Sequence, residues 1–474
     1  METMMKPVYP IRGLMLDLGR ITEKKSYYVS LLPWLAEWGY NLVHLHLADD
    51  QRCALRFPSR PELATPGAFT ADEMRNFVEL AGGYGISVMP EIEALGHSQF
   101  ITERKEYRHL AEPLPDKFGY NALCPSLTET REILADLLRD SAQIFDYPVI
   151  HVGLDEVRFG DCPVCRKKFG KIADWQRFAE HAAWVHAEVR KLNKQPAMWA
   201  DHVVKQLSML DRFKKDVLMY YWDYTIEYRV GKVQSLIDAG FKVMSCPSAL
   251  CSTARILPNS TISLKNLRNS TGRSRHQVAR GVVGMVNTLW CPWRYLPGAV
   301  DYGMAFGAHV ATVEEEDPGF AERFVRRFYG VSNARPLAAA ILELHDLSPD
   351  KNTHDRIVYG YDGLETLFNR EDRRECGILA KRVAGILSIM RKFTAKVRRN
   401  KDRYGDLVLS AEALLAMARF GAAGRKKSAV KGARALYRRA ELAWNRDRQA
   451  GDNLRFGGWH HGHDALLRAL KSYC

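Results

Sequence analysis

The chain has 474 residues, of which 46% are hydrophobic and 26% are charged. That composition is typical of a folded globular protein and excludes a disordered tail, a collagen-like chain and a small disulfide-stabilised domain. No apolar run reaches the ~20 residues that a membrane-spanning helix needs, and the first ten residues lack the apolar core of a secretory signal. Nine cysteines, an odd number, favour reduced thiols over a disulfide framework. We therefore expect a cytoplasmic protein.

The positive charge of the chain is concentrated near its carboxyl end. Residues 371–474 contain 24 Lys and Arg but 10 Asp and Glu, and this excess equals the net charge of +14 of the whole chain. A basic surface can bind nucleic acid or an acidic polymer. Because the chain contains no nucleic-acid-binding motif, we consider a nucleic-acid partner unlikely and favour a solvated helical surface.

Short apolar runs alternate with amphipathic segments through the first 330 residues. We predict strands at residues 12–18, 41–47, 86–91, 149–155, 197–201, 217–223, 241–246 and 282–290. Helical spacing lies between them, at residues 26–38, 71–84, 128–145, 174–192 and 232–239. Eight near-even strand–helix units predict an α/β fold, a closed (β/α)8 TIM barrel. An open doubly wound sheet is the alternative, but no glycine-rich phosphate loop supports it.

The pattern changes after residue 330, where convincing strands end. Residues 336–474 are rich in Ala, Leu, Arg and Lys at helical spacing. We therefore predict two domains, a catalytic barrel at residues 1–335 and a basic, all-α C-terminal domain at residues 336–474.

Polar residues collect at the carboxyl ends of six predicted strands, where barrel enzymes carry their active sites. The strand end with the most specific motif is the run His151-Val-Gly-Leu-Asp155-Glu156. Strand alternation places His151, Gly153 and Asp155 on one face, toward the barrel axis, with Glu156 free to bend over the mouth. Different surroundings can push the pKa values of two neighbouring carboxyl groups apart, so that one stays charged and the other donates a proton. The alternative is a solvated acidic pair at the start of a loop.

This run resembles the His-x-Gly-x-Asp-Glu signature of glycoside hydrolase family 20, the β-N-acetylhexosaminidases. Three further segments resemble that family in order, at residues 12–17 (Arg-Gly-Leu-Met-Leu-Asp), 41–51 and 90–97 (Pro-Glu-Ile-Glu-Ala-Leu-Gly-His). The resemblance covers roughly residues 11–295 and implies a TIM barrel. The barrel begins without the extra domain that usually precedes it, and this short layout resembles the intracellular hexosaminidase D type.

The resemblance implies an exo-acting, retaining enzyme that removes terminal β-linked GalNAc or GlcNAc by substrate-assisted catalysis through an oxazolinium intermediate. Asp155 would orient the acetamido group, and Glu156 would protonate the leaving oxygen and then activate water. The resemblance further implies that Arg12 and Asp49 bind sugar hydroxyls and that His97 and His151 support them. The aromatic walls around the sugar would be Trp199, Trp222 and Trp290. No metal or nucleotide cofactor is expected. The implied partner is an amino-sugar glycan or glycoconjugate, and a homodimer is an open alternative.

Two family features are missing from the chain. The strand-eight motif Leu-Trp-Thr-Glu is replaced by Leu-Trp-Cys-Pro at residues 289–292, so the Glu that holds distal sugar hydroxyls is absent. We therefore expect tolerance of, or preference for, GalNAc over GlcNAc. The family's Tyr is missing from residues 245–251, and its substitute could be Tyr220, Tyr221 or Tyr224. If none substitutes, the chain is a weak or inactive carbohydrate-binding homologue; binding of an acidic polymer by the basic domain is the third hypothesis.

The pair Cys162-Pro-Val-Cys165 resembles half of a zinc knuckle. A structural zinc needs four ligands, and the chain has no second Cys-x-x-Cys. Further ligands could come only through the fold, from Cys124, Cys246, Cys251 or Cys291. We favour a reduced pair in the loop after the fourth strand.

Overall fold

The computed structural model describes residues 7–113, 122–250, 260–292, 295–347, 370–448 and 470–474. Within these ranges one parallel sheet contains nine strands: β1 Ile11–Asp17, β2 Leu42–His46, β3 Ser87–Glu91, β4 Val149–His151, β5 Gln195–Trp199, β6 Leu218–Trp222, β7 Val243–Cys246, β8 Ser248–Leu250 and β9 Val282–Leu289. Strands β1 to β7 are neighbours in chain order, β9 follows β7, and β9 pairs with β1. Eight strands therefore close a barrel, which confirms the predicted fold; β8 is a short addition beside β9.

Helices surround the barrel and continue beyond it. They are α1 Lys25–Trp38, α2 Ala71–Gly83, α3 Gln99–Thr102, α4 Thr128–Ile144, α5 Pro163–Phe169, α6 Asp174–Lys191, α7 Asp201–Lys205, α8 Val230–Asp238, α9 Ser260–Ser274, α10 Asp301–Thr312, α11 Phe320–Phe328, α12 Arg335–His345, α13 Arg370–Phe393, α14 Lys401–Ala422 and α15 Ala433–Asp447. Local signals set several ends. A capping box between Thr70 and Glu73 begins α2, and Gly39 ends α1 in the left-handed conformation. None of the described helices is long and apolar enough to cross a membrane.

The register of the strands brings polar residues to one level of the barrel rim. Asp17 pairs with His46, His46 with Glu91, and Glu91 with His151. Because all four strands are parallel, their carboxyl ends open on the same side of the barrel. Four chain segments that are far apart in sequence therefore deliver their last strand residues to one place.

The fourth strand is shorter than its sequence pattern predicts. It ends at His151, and the chain then turns through left-handed backbone at Gly153 (φ +62°) and Leu154 (φ +74°). Extended geometry cannot continue through such residues. The prediction of a strand to residue 155 was therefore wrong, and strand alternation does not explain where Asp155 lies.

The helices after the barrel pack on one another and on its rim. Helix α13 lies along α14, and α14 packs on the short 3₁₀ turn Pro297–Ala299 that follows the last strand. Arg403 of α14 forms an ion pair with Asp301, and Asp406 accepts a hydrogen bond from the Gly298 backbone at 3.1 Å. These contacts confirm a helical C-terminal region. Its boundary at residues 335 and 336 stays a prediction.

Candidate active site

Glu91, the last residue of β3, organises the floor of the barrel mouth. Its Oε2 lies 2.9 Å from His44 Nε2 and 2.8 Å from His46 Nδ1, and its Oε1 lies 3.1 Å from His151 Nδ1. Trp199 Nε1 also donates a hydrogen bond to Oε1. Burial alone would raise the pKa of Glu91, but the neighbouring histidines hold that pKa well below its usual value. The floor is a buried network in which three histidines and a tryptophan surround one carboxylate.

Asp49, which follows β2, connects this network to Arg20 and His97. Its Oδ2 accepts a hydrogen bond from His46 Nε2 at 2.7 Å and lies 2.9 Å from Arg20 Nη2. Its Oδ1 lies 3.5 Å from His97 Nδ1, which is also 3.0 Å from Asp50 Oδ2. Asp49 is fully buried. The structure therefore brings the predicted ligand Asp49 to the site, but as the group that orients Arg20 and His97.

The two candidate catalytic carboxyl groups approach the same imidazole. His97 Nε2 lies 4.0 Å from Asp155 Oδ2 and 3.4 Å from Glu156 Oε2. Asp155 is buried, whereas the Glu156 side chain is 57% exposed. Burial raises the pKa of Asp155 to about 7 despite the opposing charge of His97. The hydrogen bond from His97 lowers the pKa of Glu156. The surroundings thus push the two pKa values apart, and without a ligand they favour a proton on Asp155 rather than on Glu156, the expected donor.

A strained turn sets the positions of this pair. Gly153, Leu154 and Glu156 all have positive φ, and such strain in non-glycine residues is concentrated at functional sites. A Cβ at Gly153 would fall less than 3.0 Å from all three atoms of the Glu93 carboxyl group. Glu93 Oε2 in turn accepts a hydrogen bond from the Leu154 backbone at 3.3 Å. Close packing of Gly153 on Glu93 therefore directs Asp155 into the mouth.

Aromatic side chains line the opposite side of the mouth. Trp290 Nε1 donates a hydrogen bond to the Tyr224 hydroxyl at 2.6 Å, and the Trp222 ring stacks on Tyr224 with centroids 5.2 Å apart. The Arg20 guanidinium lies 4.9 Å from the Trp290 ring centroid. Trp199 lies beneath Trp290, 5.9 Å away, and is fully buried. Trp222 and Trp290 therefore suit the predicted wall, whereas Trp199 belongs to the floor.

Arg12 is a predicted site residue that the structure does not bring to the mouth. It lies at the amino end of β1, where its guanidinium donates hydrogen bonds to the carbonyl oxygens of Gly39 at 2.7 Å and Tyr9 at 2.8 Å. Asp17 at the mouth is five residues further along β1, about 16 Å at roughly 3.3 Å per residue. Arg20, which sequence reasoning missed, holds the place expected of Arg12. The sequence did indicate Arg20 as a site residue, because it follows the carboxyl end of a barrel strand.

Of the three candidate tyrosines, Tyr224 is the one at the mouth. The Tyr220 hydroxyl donates to Met89 Sδ at 3.3 Å inside the barrel, and the Tyr221 hydroxyl donates to Asp223 at 3.2 Å. Burial raises the pKa of Tyr224 well above its usual value, and the charge of Asp155 adds to the rise. The Tyr224 hydroxyl therefore stays protonated near the candidate catalytic pair.

The family of the chain follows from its sequence match. Residues 9–252, just over half of the chain, match the family model of glycosyl hydrolase family 20, catalytic domain. The chain belongs to glycosyl hydrolase family 20. The match confirms the resemblance inferred from the strand-end motifs, and it extends through the first seven barrel strands.

This family-20 chain is similar to hexosaminidases from several organisms. A β-hexosaminidase of Vibrio furnissii is 26% identical over 255 residues, 46% of this chain and 40% of that protein. A β-N-acetylhexosaminidase of Cellulomonas fimi is 26% identical over 259 residues, 51% of this chain and 48% of that protein. This chain thus spans less than half the length of both relatives.

A solved structure shares the fold of this family-20 barrel. The exo β-N-acetylglucosaminidase of Vibrio harveyi, determined in complex with N-acetylglucosamine, superposes with a TM-score of 0.54 at 21% identity. The superposition covers 72% of this chain and 59% of that chain. At such low identity the likeness shows the shared fold.

Some side chains in the mouth are of types that bind metals, such as Glu91 with His44 and His151. The Glu91 carboxyl oxygens lie 2.9 Å from His44 Nε2 and 3.1 Å from His151 Nδ1.

Proposed function

We propose that this family-20 chain is an exo-acting, retaining β-N-acetylhexosaminidase that removes terminal β-linked GalNAc or GlcNAc from a glycan or glycoconjugate. One observation carries the proposal. Asp155 and Glu156 approach one imidazole, that of His97, from a buried and an exposed position at the mouth of a closed barrel. The names of the Vibrio furnissii and Cellulomonas fimi relatives support the same class of substrate.

The reaction needs two carboxyl groups with different tasks. The acetamido oxygen of the sugar attacks the anomeric carbon while the bond to the leaving oxygen breaks, and Glu156 gives its proton to that oxygen. Asp155 accepts a hydrogen bond from the acetamido N–H and stabilises the positive oxazolinium. Water then attacks the anomeric carbon, Glu156 takes its proton, and the ring reopens to the acetamide with retained configuration.

Sugar binding would also place the proton correctly. Without a ligand, burial raises the pKa of Asp155 to about 7, and the His97 hydrogen bond lowers the pKa of Glu156. A donated acetamido N–H favours the charged form of Asp155, and a leaving group that covers Glu156 removes its water. Both effects move the proton from Asp155 to Glu156, the group that must donate it.

Other residues of the mouth would hold the sugar. Trp222 and Trp290 supply flat apolar walls, and the Tyr224 hydroxyl is placed to donate to the acetamido oxygen. Arg20 is placed to bind sugar hydroxyls. Pro292 stands where the family has a Glu, and the backbone N–H of Cys291 before it donates to Asp17 at 2.9 Å. Because no carboxylate follows Trp290, we propose weak selection against the axial hydroxyl of GalNAc.

The test is hydrolysis of 4-methylumbelliferyl β-GalNAc and β-GlcNAc by the wild type and by Glu156→Gln. Loss of the acid should lower kcat/KM by about 10²–10⁴-fold. The loss should be much smaller with a 2,4-dinitrophenyl leaving group, which needs little protonation. Glu79→Gln, at an exposed position of α2, is the matched control. A wild type that hydrolyses neither sugar, or a Glu156→Gln variant as active as the control, would refute the proposal.

An inactive sugar-binding homologue is the alternative, and a thiazoline analogue of the oxazolinium separates the two. An enzyme should be strongly stabilised by the thiazoline, because this compound resembles the intermediate. The proposal also includes a reducing, cytosolic site of action, and the odd number of cysteines in the chain, nine, supports it. Cell fractionation tests the location, and light scattering tests whether the chain forms a homodimer.

A further inference from the structure

Four buried side chains with metal-binding atoms meet outside the barrel mouth. They are Glu112, Cys124, Cys162 and Cys165, and their ligand atoms all lie within 4.8 Å of one another. We call them the cysteine–glutamate cluster. Each is at most 6% exposed. The three cysteines form a small buried group of their own, apart from the main hydrophobic core.

The sulfur–sulfur spacing of the cluster is close to that around a tetrahedral ion, whereas the Cys165–Glu112 contact has the length of a hydrogen bond and would lengthen to about 3.5 Å around zinc. Cys124 Sγ lies 3.6 Å from Cys162 Sγ and 3.5 Å from Cys165 Sγ, and Cys165 Sγ lies 2.9 Å from Glu112 Oε1. Around zinc, with Zn–S bonds of about 2.3 Å, tetrahedral sulfur atoms are about 3.8 Å apart. A disulfide would require about 2.05 Å. The sulfur atoms would therefore have to move by roughly 1.5 Å to pair.

The chemistry of the cluster also calls for a cation. Burial of a carboxyl group among thiols is unfavourable unless its oxygens are paired. Glu112 Oε2 is buried and has no hydrogen-bond partner within the described part of the chain. Arg177 Nη1 is 3.8 Å from the other oxygen, beyond hydrogen-bond distance. Three soft sulfur ligands and one carboxylate form a closed four-ligand set of the kind that holds structural zinc.

We propose that the cysteine–glutamate cluster binds one Zn²⁺ as a structural site. Cys162 and Cys165 supply the local pair that sequence reasoning noticed, and the fold selects Cys124 from the remaining cysteines and adds Glu112. Arg177 stands beside the site to offset part of the negative charge of three thiolates and a carboxylate.

The ion would fasten together two loops of the barrel mouth. The Glu112 backbone N–H donates to Ala122 at 2.7 Å, and Leu123 N–H donates to Leu95 at 2.9 Å, two residues before His97. The cysteine pair lies at the start of α5, in the segment that follows Glu156. Zinc would thus hold the loop after β3 against the loop after β4. The inference does not depend on the proposed hydrolase activity.

The first test is zinc content by mass spectrometry of the full-length protein, purified without chelators. We expect about one zinc per chain in the wild type and in the control Cys376→Ser, whose cysteine is buried in α13. Cys124→Ser and Glu112→Ala should lose most of the zinc, whereas Glu112→Cys should retain it by completing a four-cysteine site. Zinc that is unchanged in Cys124→Ser would overturn the proposal.

Wild-type measurements keep the test decisive if the variants misfold. Cobalt exchanged into the wild type should give the intense thiolate charge-transfer and visible bands of a tetrahedral site. EDTA should lower Tm by several degrees, reversed by added zinc, and should expose three additional thiols to alkylation. A folded wild type that neither contains nor takes up zinc would overturn the proposal, as would a disulfide between any two of the three cysteines.

Discussion

Replacement of Gly153 by alanine tests how the fold places Asp155. Gly153 has φ +62°, and a Cβ there would meet the Glu93 carboxyl group at less than 3.0 Å. Glu93 is fully buried, so the carboxyl group can move only by displacing its neighbours. The variant therefore perturbs the turn that carries Asp155 without removing any catalytic group.

The expected cost has two parts. Left-handed backbone in a residue with a Cβ costs about 1–2 kcal/mol, and overpacking of a buried site costs about 1–3 kcal/mol. We expect the free energy of unfolding to fall by about 2–5 kcal/mol and Tm to fall on the order of 5 °C. Relief of the clash needs a shift of about 1 Å near Asp155, which can lower the rate ~10²-fold.

Two glycines serve as matched controls in the same assays, differential scanning calorimetry and hydrolysis of 4-nitrophenyl substrates. Gly432 also has positive φ (+75°) but has no atom within 4 Å of its ideal Cβ. Gly432→Ala should therefore show the backbone cost alone, with unchanged kcat/KM. Gly82 lies inside α2 and is equally open. Gly82→Ala should therefore raise the free energy of unfolding by about 0.5–1 kcal/mol. If Gly153→Ala matches Gly432→Ala in both Tm and kcat/KM, the packing argument is refuted.

Three further variants probe charge and hydrogen bonding. Burial raises the pKa of Asp155 to about 7 from its ordinary 3.8. This difference stabilises the folded state below pH 4 by about 1.4 kcal/mol per pKa unit, and the stabilisation is lost as pH rises to 7. Asp155→Asn should therefore gain Tm relative to the wild type as pH rises. Arg20→Gln leaves the buried Asp17 without its arginine and Asp49 with the two histidines alone, so we expect a loss of about 3–5 kcal/mol in stability and of kcat/KM. Tyr224→Phe should lower kcat by roughly 10²-fold if its hydroxyl binds the acetamido oxygen.

Each of these three predictions has a comparison that could contradict it. Thermal scans from pH 4 to pH 8 that run parallel for the wild type and Asp155→Asn would contradict the pKa argument. Arg12→Gln, with no partner at the mouth among the described residues, should lose stability but keep kcat/KM; an equal activity loss would restore Arg12 as a ligand. Tyr221→Phe should retain activity, and a loss equal to that of Tyr224→Phe would remove the special role of the Tyr224 hydroxyl.

Local patterns in the sequence determined the elements of the fold. Apolar runs and helical spacing predicted α2 as residues 71–84, where the structure has Ala71–Gly83, and α6 as residues 174–192, where the structure has Asp174–Lys191. Such patterns predict helices and strands because each element buries one side, so its apolar residues recur at the period of that element. The run that ends in Asp155 and Glu156 likewise located the candidate catalytic pair, because barrel sites form at strand ends.

Only the tertiary structure decided which residues meet. Arg20 could have been inferred from its place after the carboxyl end of β1, but the choice of Tyr224 over Tyr220 or Tyr221 follows from how the segments around the mouth pack. Glu112 is 12 residues before Cys124 and 50 before Cys162 in the sequence, so their meeting depends on how two loops fold over the rim. Neighbours along the chain determine secondary structure, whereas a site depends on contacts between segments that are distant in sequence.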